Sequence, residues 1–301
     1  LYESSYELKS NEDVDDWYDL IDFIYFLNSS SDEEFESELP SRLDLNPFLT
    51  SVAFNNLFSN LDTYTLSARN YYLYHNMSSD QWEWIKWDAN ETFGSYAFGV
   101  QTPMTNLPID FYQGQRPLLE RIFDNDLFMS QYTSEICLLL DTVFNPTYLN
   151  PIIDNYKDLI QQYVYADNNK MYSNNDFDTN IESNLNSGPG PGPGGAIYGL
   201  KSFIETRFNY LTSTVDCTAS SSLEESHFEH IVVYPNPSVD IIMIKGAIEY
   251  PIQYSLFSVD GKLILDGQLN EMNAQIDLSV LSPNVYYLKL GNRSLKVFKK
   301  N

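Results

Sequence analysis

Large apolar residues recur at intervals of three and four along Trp17-Tyr18-Asp19-Leu20-Ile21-Asp22-Phe23-Ile24-Tyr25-Phe26-Leu27, a spacing that predicts an α-helix with one buried face. Ser31 followed three residues later by Glu34 is a capping-box pair and starts a second, short helix. A third is expected from Asp44 to Phe58, with Pro47 in its first turn, where a missing N–H is tolerated. The period then changes. Tyr71 to Tyr74 and Trp82 to Trp87 are β-prone aromatic runs joined by the polar stretch from His75 to Asp80, which reads as a hairpin. Trp82, Trp84 and Trp87 are expected to share the packed face of its second strand. Helical patterning returns from Gln115 to Val143, from Pro151 to Tyr165 and from Ile197 to Leu211.

Two segments interrupt this pattern. The run from Gly188 to Gly195 alternates Gly with Pro, excludes regular helix and lacks the period-three Gly of collagen, so it is expected to be a mobile surface loop. Its prolines also remove the N–H groups that a phosphate-cradling loop needs. Thr218 to Ser226 is polar and reads as a solvated linker. Beyond it come short alternating segments: the opening Val232-Val233-Tyr234-Pro235-Asn236-Pro237, then Ile241 to Lys245, Gln253 to Ser258, Leu263 to Asp266, Ala274 to Leu278, Val285 to Leu290 and Ser294 to Lys299. Asp260-Gly261 between two of them is a strong hairpin signal. The expected class is therefore α+β: a mainly helical domain with one β-hairpin over residues 1–217, a linker over 218–230, and a small antiparallel β-sandwich over 231–301.

Charge narrows the function. Acidic residues outnumber Lys+Arg by 42 to 17, a formal charge of −25, and such a surface repels phosphate backbones and anionic lipid. Nucleic acid is thus not an expected partner. No apolar run is long enough to span a bilayer, so no membrane span is expected. Cys137 lies in the apolar run Ile136 to Leu140, where a buried free thiol is the simpler reading; an oxidising compartment would permit pairing with Cys217. His75, His227 and His230 fall in turn or linker settings and are given no role. Asp167-Asn168-Asn169 and Asn174 to Asp178 hint at calcium loops, but no standard spacing is present, and solvated polar loops are expected there.

The segment from Asn60 to Gly94 carries the candidate chemistry. It offers, in order, the carboxylate of Asp62, the amide of Asn70 and the carboxylate of Asp88, with Asn90 two residues further on. Phosphoryl transfer needs such parts: a carboxylate to orient the attacking hydroxyl, and an amide plus a carboxylate to hold the metal ions that neutralise the phosphates. Asp62 and Asn70 flank an irregular loop after a helix, and Asp88 ends the second hairpin strand.

Asn60-Leu61-Asp62, Arg69-Asn70-Tyr71-Tyr72-Leu73-Tyr74 and Trp84-Ile85-Lys86-Trp87-Asp88-Ala89-Asn90-Glu91-Thr92-Phe93-Gly94 resemble the CotH (spore-coat protein H) kinase family, as do the helices from Asp15 to Phe58 and Phe203-Ile204-Glu205-Thr206-Arg207. The likeness covers about residues 1–215 and implies a kinase-like C-lobe that transfers phosphate from ATP to secreted proteins, typically on Ser, with Mg2+. By that resemblance Asp62 is the catalytic base and Asn70, Asp88 and Asn90 face the metal. Two positions depart: Arg69 stands where the family usually has His, and Asn90 where it usually has a second Asp, so metal affinity is expected to fall. No glycine-rich loop and no Val-x-x-Lys strand precede the segment, and Lys9 lacks such surroundings; the chain is therefore expected to begin after the nucleotide-covering lobe. A non-catalytic surface or adhesion scaffold on the same fold is the alternative.

The last segment is similar to the C-terminal sorting domain of type IX secretion cargo, through Tyr234-Pro235-Asn236-Pro237, Asp260-Gly261-Lys262, the step from Leu278 and Leu281 into Tyr286-Tyr287-Leu288, and Lys296-Val297-Phe298-Lys299-Lys300. Asn284 stands near the usual Gly and is expected to take a left-handed turn. This resemblance implies export across the outer membrane, a secreted or cell-surface location, and the type IX machinery as a partner of residues 231–301.

Overall fold

The computed structural model describes residues 6–10, 12–13, 17–186, 197–218, 232–245, 251–258, 261–270, 275–290 and 293–300. The chain divides into two units, residues 1–221 and 222–301.

The first unit is mainly helical. α1 (Tyr18–Ser29) buries Leu20, Phe23, Phe26 and Leu27, the stripe expected from their spacing. α2 (Asp32–Arg42) opens on the capping box: Ser31 Oγ accepts the Glu34 N–H, and the Glu34 carboxylate accepts the Ser31 N–H. α3 (Leu45–Leu57) is buried on most of its surface. The hairpin β1 (Tyr71–Asn76) and β2 (Gln81–Lys86) pairs Tyr71 with Lys86 and Asn76 with Gln81. It is fixed to the helices where the Asp44 N–H donates to Trp82 O at 2.9 Å.

The expected helix from Gln115 to Val143 is two, α4 (Pro117–Asp124) and α5 (Asp126–Thr142), because Asn125 leaves the helix and caps the second with its own side chain. α6 (Pro146–Ala166) begins five residues before the expected start at Pro151, which lies inside it. Asn145 accepts the Tyr148 N–H and Pro146 takes the first helical position, and that start signal outweighs the later proline. α7 (Asn174–Glu182) replaces an expected polar loop, since Ser173 and Asp176 form a second capping box. α8 (Leu200–Thr214) packs near a 3₁₀ turn at Met104–Asn106. The glycine-proline run from 188 to 195 lies outside the described residues, as does the linker beyond Thr218.

Two further expectations change. Cys137 is not a free thiol; it is bonded to Cys217, with Cα atoms 5.6 Å apart, tying α5 to the chain just past α8. Trp87 does not share the face of Trp82 and Trp84. Trp82 is buried, whereas Trp87 lies beyond β2, is 58% exposed and meets Tyr72 edge to face. Side chains alternate with a period of two, so 82 and 84 share a side and 87 cannot.

The second unit has two antiparallel sheets. β3 (Val232–Tyr234), β4 (Ile241–Lys245) and β7 (Gln275–Asp277) form one, in that order. β6 (Leu263–Leu269), β5 (Ile252–Ser258), β8 (Asn284–Leu290) and β9 (Arg293–Lys299) form the other. Alternate residues, among them Ile242, Ile244, Leu256, Leu288 and Val297, make a shared core. Asn284 takes no left-handed turn; it is the first residue of β8, opposite Lys299, and ladder pairing holds it extended.

Candidate functional site

The chain leaves α3 at Phe58 and runs through turns from 59 to 70 before entering β1. An irregular segment of this kind leaves carbonyls without partners, and one arginine answers them while a second braces the helix before it. Arg207 of α8 is fully buried, with no salt bridge among the described residues; it donates to Asn56 O, Asn56 Oδ1, Thr105 O and Leu107 O. Burial pushes its guanidinium down to about 10, still charged at neutral pH. Arg116 donates to Tyr64 O and Leu66 O, just past Asp62. Arg116 thus holds the turn just past Asp62, and Arg207 ties the last turn of α3 to the 3₁₀ turn at Met104–Asn106 and the residue after it.

Within that frame Asn70 is the connecting residue. Its Nδ2 donates to Asp62 O at 2.7 Å and to Asp62 Oδ2 at 2.9 Å, while its carbonyl accepts the Trp87 N–H at 3.1 Å. One residue thus holds the Asp62 carboxylate and the chain entering Asp88. Asp62 and Asn70 are half-buried, and Asp88 and Asn90 are exposed. Asp88 Oδ1 accepts the Asn90 N–H at 3.1 Å. Asp62, Asn70 and the Asp88 turn are therefore linked through Asn70, whereas Asn90 reaches the group through its backbone alone.

The backbone here is strained. Among the described residues, the non-glycine positions with positive φ are Ser59, just before the candidate segment, and Ala68, Asn70, Asp80, Asp88 and Phe93 within it. Such conformations persist only where surroundings over-determine them, and they gather at functional sites. Gly94 follows at φ 69°.

Hard cations favour oxygen donors, and the Asn70 carbonyl, the Asp88 carboxylate and the Asn90 carbonyl are of that kind. Asn70 turns its amide nitrogen to Asp62, which leaves its side-chain oxygen for another partner. These residues fit a magnesium ion that keeps several ligands from water or phosphate. No group of three His, Cys, Asp or Glu side chains able to hold a metal occurs among the described residues.

Sequence reasoning missed Lys86. Its amine is half-buried at the end of β2 and donates to Asn55 Oδ1; burial pushes it below the usual lysine range, and nearby Asp88 pushes it back up. A lysine on an aromatic strand carries no sequence signal, because its surroundings come from α3. His75 was missed for a related reason. It lies in β1, between Asp19 Oδ2 and Asp80 Oδ1 at 3.1 Å each, and stacks on Trp82, rather than in a turn. His227 and His230 lie outside the described residues.

A helical unit whose aromatic hairpin is bracketed by acidic and amide turns defines a class, and comparison with known sequences gives it a family. The profile of the CotH kinase protein family matches residues 2–210, and the chain belongs to that family. A secretion system C-terminal sorting domain matches residues 232–301. The inner spore coat protein H of Bacillus subtilis (strain 168) is 29% identical over 176 residues, covering 58% of this chain; the match spans 46% of that relative's length. The chain is thus a CotH-like protein exported through the type IX route to the cell surface or beyond, and its sorting domain implies association with that machinery.

Proposed function

We propose that this chain carries the phosphoryl-transfer site of an exported protein kinase that uses ATP and Mg2+ and phosphorylates a hydroxyl on a secreted protein. The observation that carries the reading is the placement of Asn70, whose amide holds the Asp62 carboxylate while its carbonyl holds the chain at Trp87. Asp62 Oδ2 is engaged by Asn70, so Oδ1 is the oxygen that takes the proton from the acceptor hydroxyl. Asn70, Asp88 and Asn90 would hold magnesium through their oxygens. When bound, the ion would neutralise charge on the phosphates. Asn90 supplies a neutral oxygen where a carboxylate would bind more strongly.

The test is phosphorylation of a Ser-containing acceptor by the complete gene product, with radiolabelled ATP and magnesium. Asp62→Ala and Asp88→Ala are each expected to lower the rate by about a thousandfold, with melting temperatures unchanged. Full activity in either variant removes that residue from the mechanism.

A second reading has its own support. Arg69 is exposed where the family usually has His, and the cation site rests on a single carboxylate. A non-catalytic adhesion scaffold would keep the fold without needing the charge. Magnesium-dependent ATP binding separates the two: the kinase shows it and the scaffold does not.

A further inference from the structure

A cleft of about 800 Å³ lies along α3, on the side that faces the end of β2 and the turns that follow it. Pro47, Phe54, Phe58, Trp84 and Phe93 are the large apolar residues of its wall. Its lining runs from Asn46 to Phe58, about 18 Å at the rise of an α-helix. Its size and apolar wall suit a bound small molecule.

Charge decides which kind. In a chain with 42 acidic against 17 basic residues, this cleft is lined by one cation, Lys86, and no carboxylate. The amine donates to the neutral Asn55 oxygen, and no carboxylate forms a salt bridge with it among the described residues; Asp88, two residues on, is outside the lining. Ser51 also lines the cleft, and its hydroxyl has no hydrogen-bond partner among the described residues. A nucleoside triphosphate, with several negative charges and a polar sugar, matches this wall poorly. An elongated apolar body with a single anionic head matches it well.

We propose that the α3 cleft binds a single-headed amphipathic anion of the acyl-carboxylate type, with Lys86 at the head group and Phe54, Phe58 and Phe93 along the chain. The carboxylate accepts from the Lys86 ammonium, and the acyl chain removes the aromatic wall from water. The cleft borders the phosphotransfer site through Lys86 and Ala89, but none of Asp62, Asn70, Asp88 or Asn90 lines it.

The experiment uses the 301-residue chain and anilinonaphthalene sulfonate, a fluorescent aromatic anion, as the probe. Binding should enhance its fluorescence, and laurate should displace it competitively at micromolar concentration. Lys86→Met, which keeps the apolar volume, should weaken laurate by about tenfold or more, as expected for loss of a charge-assisted hydrogen bond. Lys86→Arg should stay within about threefold of the natural chain, since it restores a donor at the head. Ser51→Trp fills the cleft without touching the charge and should abolish displacement; a thermal melt shows that each variant folds. No enhancement in the natural chain overturns the proposal. Equal laurate affinity in Lys86→Met, or displacement by MgATP but not by laurate, overturns it as well.

Discussion

Gly94 closes the candidate segment with φ 69°, and a Cβ placed there would lie 2.5 Å from Met104 Cβ. Neither defect relaxes alone, because the close atom belongs to a side chain rooted in the 3₁₀ turn that Arg207 and Ser59 hold by hydrogen bonds to its backbone. Gly94→Ala therefore combines left-handed strain with overpacking, and a loss of about 3 kcal/mol is expected. A urea titration checks this: a midpoint equal to that of the natural chain would mean that the turn is softer than its contacts indicate. The same neighbourhood shows why Asp62 needs help that its own sequence does not supply. Its turn is held by Arg116, the end of the helix before it by Arg207, and each arginine meets backbone oxygens where a carboxylate would be usual. Arg suits this task because its fork of donors spans several carbonyls at once.

The Cys137–Cys217 bond ties α5 to the end of α8 across 80 residues of sequence. Closing a loop of that length restricts the unfolded chain by about 4 to 5 kcal/mol in the chain-entropy account, and measured effects are commonly about 2 to 4. Reduction with dithiothreitol, or Cys217→Ser, is expected to lower stability by about that smaller amount. Urea midpoints with and without reductant measure it, and coincident curves would show that the bond constrains nothing. The pairing agrees with the exported location, since such bonds persist outside the reducing cytosol. The hairpin shows a different logic. Phe48 meets Trp84 at 5.0 Å and Phe23 stacks on Trp82 at 5.6 Å, so its inner face is bound to the helices by aromatic rings. That packing sets the register which brings Trp87 opposite Asn70 and so places Asp88.

Each of the two units has its own core, one built on α1–α5, α8 and the hairpin, the other on the paired sheets. Independent cores predict independent folding. A chain ending at Thr218 is expected to retain a cooperative melt and the Cys137–Cys217 bond, yet to remain inside the outer membrane of its host. Export of the truncated chain at the natural rate would mean that residues 232–301 are not the sorting signal. No single helix among the described residues is long and apolar enough to cross a membrane. α5 and α6 pass that test only as a pair bent by 59°, and α5 turns Phe128, Tyr132 and Ile136 into the core.

What the sequence determined by itself is local or carried by motif. The α1 stripe, the Ser31–Glu34 box, the hairpin and the strands from Ile241 onward follow from periods and caps that act over a few residues. The family and the sorting domain were legible because their motifs are contiguous. Local signals also mislead: Pro151 resembles a helix start although the stronger pair, Asn145 and Pro146, precedes it, and the polar stretch from Asn174 to Asp178 resembles a loop although Ser173 and Asp176 cap a helix there. Only the tertiary structure decided that Cys137 meets Cys217, that Arg116 braces the Asp62 turn and Arg207 the end of α3, that Asn70 bonds Asp62, and that Lys86 borders an apolar cleft. Each joins residues eight or more positions apart, brought together by packing of whole elements. No period or cap in a sequence encodes such distances; the shape of the assembled core does.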